Sequence, residues 1–231
     1  MPDESRLQTV LLNTAQVATQ AMAPKIALKR LGLTEYEEAL SYQRSIHSEI
    51  SEGQRPNTLI LLEHPPIFTA GRRTLPHELP TDGSKVIDVD RGGKITFHGP
   101  GQLVGYPIVR LKNGNDVVGF VREIETALIR VCEYFEIKAE RYCEHSGVWI
   151  RDDKGDRKIA AIGIRVARGV TMHGFAINAN CDRSAFDRIV PCGIRDAGVT
   201  TLTEEVGHDV SVPDVLAQLR PRGDHPASGS S

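Results

Sequence analysis

The sequence predicts a single α/β domain that is built on one mixed sheet. Short apolar runs typical of strands alternate irregularly with amphipathic helical segments, and the connections include both hairpin and crossover lengths. Helices combined with both kinds of connection indicate a mixed sheet packed against helices. The 231 residues suffice for one large domain, and neither an internal repeat nor a break in composition marks a second one.

Composition and charge favour an ordinary globular protein. Hydrophobic residues make up 40% and charged residues 25% of the chain, as is usual for a soluble domain. The formal net charge of -2 argues against a general nucleic-acid binder, although a local basic patch could still receive an acidic protein. No apolar stretch reaches the length of a membrane span, and residues 1–24 lack the basic start and apolar centre of a secretory signal. We therefore expect a cytoplasmic protein without a nucleic-acid or membrane partner.

The cysteine pattern favours reduced thiols. Cysteines occur at positions 132, 143, 181 and 192, and no two of them form a Cys-x-x-Cys pair. A disulfide framework needs a denser pattern, and a zinc site usually needs closer ligand pairs. We therefore expect no metal, with a site made from Cys143, His145 and a further ligand as a weak alternative.

The folded domain is expected to span residues 25–220. Residues 1–24, rich in Gln, Thr and Ala, are expected to form a flexible extension, and the Gly/Ser/Pro-rich residues 221–231 a disordered tail. The first helix is predicted to begin at Thr34, because Thr34 and Glu37 match a capping box that satisfies the first free amides of a helix.

Three apolar runs predict strands in the first half of the domain. Residues 58–62 form a buried strand that prolines terminate, and residues 86–90 form a strand that leads into a glycine-rich segment. Residues 103–109 are expected to return from that segment as the next strand. Asp116 is then expected to cap a helix over residues 117–135, whose apolar side chains follow helical spacing.

The second half of the domain is predicted to be mainly strands. A strand is expected around residues 148–150, and two longer apolar runs, 158–166 and 170–180, indicate a hairpin that turns at residues 167–169. A final helix is expected to begin near Pro213, because proline is favoured at the first helical position.

The segment over residues 91–106 reads RGGKITFHGPGQLVGY and contains five glycines. Glycine costs backbone entropy, so such a cluster indicates positive φ angles or a backbone pressed against something. Side chains that donate or accept hydrogen bonds lie among the glycines: Arg91, Thr96, His98, Gln102 and Tyr106. The segment suits either a site for a polar reaction centre or a glycine-rich hairpin, and its residues alone favour neither.

Cys192 is the cysteine best placed for chemistry. Pro191 and Gly193 put it on a tight turn with an accessible backbone, where a thiol can meet a substrate. Cys132 falls within the predicted helix and Cys181 at the end of a strand, and the common fate of such a cysteine is an inert buried thiol. Because the thiolate is the nucleophilic form, Cys192 needs a neighbouring group that takes its proton.

A lysine or a histidine can take that proton. Lys158 begins an otherwise apolar strand, and the residue pattern favours an amine that extends to water over one that is partly desolvated and acts as a base. His98 and His173 each precede a glycine. We expect both histidines to make structural hydrogen bonds rather than to act in catalysis.

Five blocks of residues, taken together and in order, carry a more specific signal than any one of them. They are Arg91-Gly-Gly-x-x-Thr-Phe-His98 with Gly101-Gln102 and Tyr106, Gly147-Val-Trp149, Lys158-Ile-Ala-Ala-Ile-Gly163, Thr171-x-His-Gly174, and Pro191-Cys-Gly193. In these blocks the sequence resembles the octanoyltransferases of lipoate biosynthesis. The resemblance extends over residues 30–206, and no reactive position departs from the family pattern.

The resemblance implies a fold, a chemistry and a set of site residues. The fold is that of the biotin/lipoate protein ligase catalytic domain, a mixed α/β sheet. Cys192 would be the acyl-accepting nucleophile, and Lys158 the partner that lowers the pKa of its thiol. The substrate site would be lined by Arg91, Gly92, Gly93, Lys94, Ile95, Thr96, Phe97, His98, Ala161, Ile162, Gly163, Gly174, Phe175 and Ala176.

The implied activity needs no cofactor. An octanoyl group would pass from octanoyl-acyl carrier protein, through a thioester on Cys192, to a lysine of a lipoyl domain. The implied acceptors are the lipoyl domains of 2-oxoacid dehydrogenase complexes and the H protein of glycine cleavage.

Two other functions remain open besides a zinc protein. The first is an ATP-dependent lipoate or biotin protein ligase, because one fold can carry several functions. Such a ligase activates a free acid and has no need of Cys192. The second is a binding module that keeps the pocket and receives acyl carrier protein without turnover.

Overall fold

Eleven strands and four α-helices make up the described part of the chain. The computed structural model describes residues 26–111, 116–142, 145–189 and 197–218. The strands are β1 (Ala27–Leu33), β2 (Thr58–Glu63), β3 (Ile67–Ala70), β4 (Val86–Asp88), β5 (Thr96–His98), β6 (Gln102–Ile108), β7 (Glu140–Tyr142), β8 (His145–Asp152), β9 (Gly155–Ala167), β10 (Val170–Asn178) and β11 (Gly198–Val199). The helices are α1 (Tyr36–Ser51), α2 (Val117–Tyr134), α3 (Leu202–Val206) and α4 (Val212–Gln218), and short 3-10 turns cover Pro76–Glu78 and Ser184–Arg188.

The large sheet has the strand order β1-β2-β6-β10-β9-β8-β7, and β11 pairs with β9. Strand β1 is parallel to β2 and β11 is parallel to β9, whereas the other neighbours are antiparallel. The predicted mixed sheet in an α/β domain is therefore confirmed.

Alternating side chains of the central strands pack into two hydrophobic cores, one on each face of the sheet. In β2, Leu59 and Leu61 belong to the core that α2 covers, whereas Ile60 and Leu62 belong to the core beneath α1. Such a strand is buried on both faces, which explains its unbroken apolar run. The large sheet thus lies between helices, with α1 on one face and α2 on the other.

The two long helices begin differently from one another. As predicted, the Asp116 carboxylate caps α2, because it accepts a hydrogen bond from the Gly119 amide at 2.8 Å. The predicted capping box at Thr34 is wrong: Glu35 is the N-cap of α1 and makes no side-chain hydrogen bond there. Thr34 is instead held at the end of β1, where its amide donates to the carbonyl of Glu63 at 2.9 Å and its hydroxyl to that of Leu31 at 3.3 Å.

The glycine-rich segment connects two sheets instead of forming a hairpin. A small second sheet has the order β4-β3-β5, with β4 parallel and β5 antiparallel to β3. The strand expected over residues 103–109 is β6, and it lies in the large sheet between β2 and β10. Phe68, Phe97 and Phe186 pack together in the core of the small sheet.

The predicted hairpin of β9 and β10 is confirmed. Arg168 and Gly169 both have positive φ, 52° and 71°, as a two-residue turn between twisted antiparallel strands requires. The expected extension 1–24 and tail 221–231 lie outside the described residues. Within the described ranges, no helix is long and apolar enough to cross a membrane.

Close strand contact makes Gly174 a test of this packing. A Cβ atom at Gly174 would lie 2.0 Å from the Gly105 carbonyl oxygen, a backbone atom that cannot rotate away. We expect Gly174→Ala to lower the free energy of unfolding in urea by about 1–3 kcal/mol. Gly198→Ala is the matched control, because its nearest neighbour would be 3.5 Å away. Equal stability of the two variants would contradict the described contact of β10 with β6.

Candidate active site

A cavity of about 400 Å³ lies between the large sheet and the glycine-rich segment. This volume falls in the usual range of small-molecule sites. Eleven of the fourteen residues predicted to bind substrate line it: Arg91, Gly93, Lys94, Thr96, His98, Ala161, Ile162, Gly163, Gly174, Phe175 and Ala176. The cavity therefore brings together residues from three separate blocks of the sequence.

The other three predicted residues lie behind the cavity wall. The Gly92 amide donates to the carbonyl oxygen of Ile164 at 3.1 Å, which ties the segment to β9. Ile95 and Phe97 are buried in the core of the small sheet. At these positions the three residues support the cavity wall rather than contact a ligand.

Small residues form the part of the sheet that faces the cavity. Ala161 pairs with Ala176 and Gly163 with Gly174 across β9 and β10. A Cβ atom at Gly163 would lie 2.8 Å from Cδ of Arg91. The missing side chain at Gly163 therefore leaves the space through which Arg91 passes.

Arg91 holds the glycine-rich segment in shape. Its guanidinium is buried and donates to the carbonyls of Gly92 at 3.1 Å, Lys94 at 2.8 Å and Thr69 at 2.8 Å, and to the Thr69 hydroxyl at 2.9 Å. A planar guanidinium carries several N–H donors in fixed directions, so it can bind several acceptor oxygens at once. Arg91 thus fixes the wall of the cavity that it also lines.

A buried aromatic cluster defines the tautomer of His64. Nδ1 of His64 lies 2.7 Å from the carbonyl oxygen of Thr34, which can only accept, so Nδ1 donates. Nε2 then accepts from the Tyr106 hydroxyl at 2.7 Å. Burial lowers the pKa of His64 to about 4 and that of the neighbouring His98 to about 3. Both imidazoles are therefore neutral at pH 7.

His98 starts a chain of hydrogen bonds that ends at Lys158. Nδ1 of His98 lies 2.7 Å from Oε1 of Gln102, and the Gln102 amide donates to Oδ1 of Asn178 at 2.8 Å. Asn178 donates to the carbonyl of Thr200 at 2.9 Å, whose amide donates to the carbonyl of Lys158 at 3.0 Å. These bonds fix the glycine-rich segment relative to β9.

His173 lies in the cavity wall with a strained backbone and an acidic partner. Its φ of 59° is unusual for a residue with a side chain, and its Nε2 lies 2.8 Å from Oδ1 of Asp90. Burial lowers the pKa of His173, although Asp90 opposes this. Burial raises the pKa of Asp90, but the hydrogen bond from His173 and the charge of Arg165 outweigh it and lower that pKa.

Lys158 is buried, with 8% of its surface exposed, so the interpretation that its amine extends to water is wrong. Strict alternation would place it on the core face with Ala160. A β-bulge changes this: Val148 pairs with Ala160 and Trp149 with Lys158, so Ile159 is the extra residue. Ile159 then joins the core, and Lys158 turns into the cavity.

The amine of Lys158 lies over an aromatic ring. Its Nζ is 4.5 Å from the centre of the Trp149 ring, a distance suited to a cation–π contact. Among the described residues, no carboxylate lies within ion-pair distance of Lys158. The amine thus faces the cavity without a fixed acidic partner from these residues.

Cys192 and Cys143 lie outside the described residues. Cys132 and Cys181 are free and buried, and burial raises the pKa of each thiol to about 12. Both match the expected inert thiol. Within the described ranges, no group of three His, Cys, Asp or Glu side chains is arranged to hold a metal ion.

Six further residues line the cavity without having been predicted to bind substrate: Tyr36, Arg73, Tyr106, His145, Ser146 and His173. Tyr36, Arg73 and Ser146 stand in no recognisable pattern, so only the fold could find them. The described lining carries four basic side chains, Arg73, Arg91, Lys94 and Lys158, and no carboxylate. The buried Glu78 forms an ion pair with Lys94.

Comparison with known proteins identifies similar chains. Residues 35–221 match the family described as the lipoyl protein ligase A/B catalytic domain. The octanoyltransferase of Salinispora tropica is 56% identical over 195 residues, which cover 84% of this chain and 92% of that relative. The octanoyltransferase of Leifsonia xyli is 59% identical over 187 residues, covering 80% and 84% of the two chains.

Solved structures share the fold at low identity. The bi-partite lipoate protein ligase of Thermoplasma acidophilum has a TM-score of 0.69 at 17% identity and covers 84% of this chain and 80% of its own. Lipoate-protein ligase A bound with ATP has a TM-score of 0.67 at 16% identity, covering 84% and 82%. The expected ligase-like catalytic fold is therefore confirmed.

The buried pair of His64 and Tyr106 gives a test of the cavity wall. Tyr106→Phe would leave Nε2 of His64 without its donor, so we expect the free energy of unfolding to fall by about 1–3 kcal/mol. Tyr134→Phe, at a half-buried position of α2, is the control and should have little effect. Nitrogen NMR of His64 should report the Nδ1-protonated tautomer in the wild type; the opposite tautomer would contradict the assignment.

Proposed function

The chain belongs to the lipoyl protein ligase A/B catalytic-domain family, and on that premise we propose how it acts as an octanoyltransferase of protein lipoylation. It transfers an octanoyl group to a lysine of a lipoyl domain. The observation that carries this function is the close relation to octanoyltransferases, which are 55–59% identical over most of both chains.

The ATP-dependent ligase alternative is not favoured. The solved lipoate ligases share the fold at only 16–17% identity, whereas the octanoyltransferases are several times more similar. A binding module without turnover is not favoured either, because these relatives are acyltransferases.

The donor in this proposal is octanoyl-acyl carrier protein. Its octanoyl group is a thioester at the end of a phosphate-bearing arm. The cavity offers Ala161, Ile162, Phe175 and Ala176 to the alkyl chain. The cationic side chains of Arg73, Arg91 and Lys94 and the lack of a carboxylate in the described lining suit an anionic arm that enters with it.

The proposed nucleophile is Cys192, which follows the described Ile189 by three residues and precedes Val199 by seven. Val199 pairs with Lys158 in the sheet. Phe186 and Val199 also line, together with Lys158, a small cavity of about 20 Å³. The described chain on both sides of Cys192 therefore comes close to Lys158, which supports a Cys192–Lys158 pair.

In the first half-reaction, the amine of Lys158 takes the proton of the Cys192 thiol. The thiolate attacks the thioester carbonyl of the donor, and the bond from that carbon to the carrier sulfur breaks. The carrier leaves as a thiol after it receives the proton from Lys158. One thioester replaces another, so no ATP is needed.

In the second half-reaction, the amine of the lipoyl-domain lysine attacks the Cys192 thioester. An amide bond forms, the bond from the carbonyl carbon to Cys192 sulfur breaks, and Lys158 takes the proton that the attacking nitrogen loses. The return of that proton to the Cys192 sulfur regenerates the enzyme. An amide is more stable than a thioester, so this step proceeds downhill.

The acceptors in this proposal are the lipoyl domains of 2-oxoacid dehydrogenase complexes and the H protein of glycine cleavage. The proposed compartment is the cytoplasm, and the free thiols of Cys132 and Cys181 fit its reducing conditions.

A covalent intermediate is the first expected outcome. Incubation with octanoyl-acyl carrier protein alone should increase the mass of the intact protein by one octanoyl group, and peptide mapping should place the group on Cys192. Cys192→Ala should gain nothing. An octanoyl group on another cysteine, or active enzyme that never gains mass, would contradict the acyl-enzyme scheme.

Loss of the lysine is the second expected outcome. Lys158→Ala should slow both half-reactions by about 10²- to 10⁴-fold, the usual contribution of a general base. Lys154→Ala, at an exposed position of the β8–β9 turn, is the control. Single-turnover rates at pH 7 measure both steps, and an unchanged rate in Lys158→Ala would remove Lys158 from the chemistry.

A further inference from the structure

Glu125 is a fully buried charged residue that is not one of the residues lining the cavity. It lies on α2 with none of its surface exposed. Its Oε2 lies 2.8 Å from Nη1 of Arg122 and 3.2 Å from Nε of Arg141, so it is ion-paired with both arginines. A carboxylate removed from water is costly unless it is paired and hydrogen-bonded. The two arginines balance its charge, but they leave its second oxygen for another partner.

That second oxygen accepts a backbone hydrogen bond from β8. The Gly147 amide donates to Oε1 of Glu125 at 3.1 Å. The bond lies beside the β-bulge, where the pairing of β8 with β9 shifts register between Val148 and Trp149. A bulge interrupts the ladder between strands, and here a side chain from the helix supplies an acceptor to the backbone.

Gly147 lies beside the lysine that this bulge places. Its φ is 121°, a region that favours glycine. A Cβ atom there would lie 2.5 Å from the Ala160 carbonyl oxygen and 3.4 Å from Cε of Lys158. Cε is the carbon that carries the amine, so the Gly147 backbone lies beside the last methylene of Lys158, and a side chain at position 147 would reach it.

The same short stretch also supplies the aromatic contact of that amine. His145 and Ser146 line the cavity directly before Gly147, and the Trp149 ring lies against Nζ of Lys158. A shift of the Gly147 backbone would therefore change the packing beside Cε of Lys158 and move the Trp149 ring that lies against Nζ.

We propose that Glu125 is a positioning residue for the reaction: it anchors the Gly147 backbone and thereby holds the amine of Lys158 at the cavity. This inference rests on the proposed function of Lys158 and Cys192. The resemblance singled out Gly147 and Trp149 without assigning them a role. This proposal assigns both of them to the positioning of Lys158. Glu125 acts through Gly147 and does not touch the substrate.

The test compares three substitutions of Glu125. Glu125→Gln keeps one acceptor oxygen for either Gly147 or the arginines, which all donate to Glu125, whereas Glu125→Met keeps the side-chain length and has no acceptor. We expect Glu125→Met to slow octanoylation of Cys192 about 10- to 100-fold, the effect of a small misplacement of a catalytic group. KM for octanoyl-acyl carrier protein should change little, and Glu125→Gln should be slowed less than Glu125→Met.

Glu125→Asp keeps the test decisive if Glu125→Met does not fold. It retains the charge beside the arginines but withdraws the oxygen from Gly147, so it should also be slow. Leu128→Ala removes a buried side chain from the same helix and serves as the control for lost stability; per folded molecule, it should react at the wild-type rate. Glu133→Met controls for the same exchange at an exposed position of α2.

Hydrogen exchange at the Gly147 amide gives a readout that a general loss of stability would not reproduce. Exchange should become faster in Glu125→Met and Glu125→Asp, while other β8 amides keep their protection. Folded Glu125→Met that reacts at the wild-type rate would overturn the inference, as would unchanged exchange at the Gly147 amide in that variant. If Lys158→Ala reacts at the wild-type rate, the proposed function fails instead.

Discussion

One extra residue in β9 decides which side of the sheet receives the amine of Lys158. Without the bulge at Ile159, alternation would direct Lys158 into the apolar core beneath α2, where a charged amine would lose its hydration. With the bulge, Ile159 fills that core and Lys158 faces the cavity. Gly147 and the Trp149 ring then lie beside the end of the Lys158 side chain. The proposed chemistry depends on this local break in a regular strand.

Much of the fold follows from residue patterns, and the exceptions have physical reasons. The runs that form β2, β9, β10 and α2 are long and apolar, so their periodicity is readable. Strand β1 was missed because its last five residues are exposed and show no apolar alternation. The short strands β3 and β5 belong to a second sheet, whose existence depends on pairings far apart in the chain.

The site was predictable where it follows motifs and unpredictable where it depends on tertiary contact. The glycine-rich segment, Lys158 and the hairpin of β9 and β10 were found from the sequence, and they meet at one cavity. Asp90 and Glu125 were not found, because their partners His173 and Gly147 lie 83 and 22 residues away. The burial of Lys158 was misjudged because Ile159 and Ala160 are both apolar, and such a run does not reveal a bulge.

The most direct test is a crystal structure of the acyl-enzyme, with the separation of Nζ of Lys158 and Sγ of Cys192 as the measured quantity. The account predicts that the two atoms lie within hydrogen-bond reach, directly or through one water, and that the octanoyl chain occupies the cavity lined by Ala161 and Ala176. A Cys192 sulfur remote from Lys158, or an octanoyl chain bound elsewhere, would contradict it.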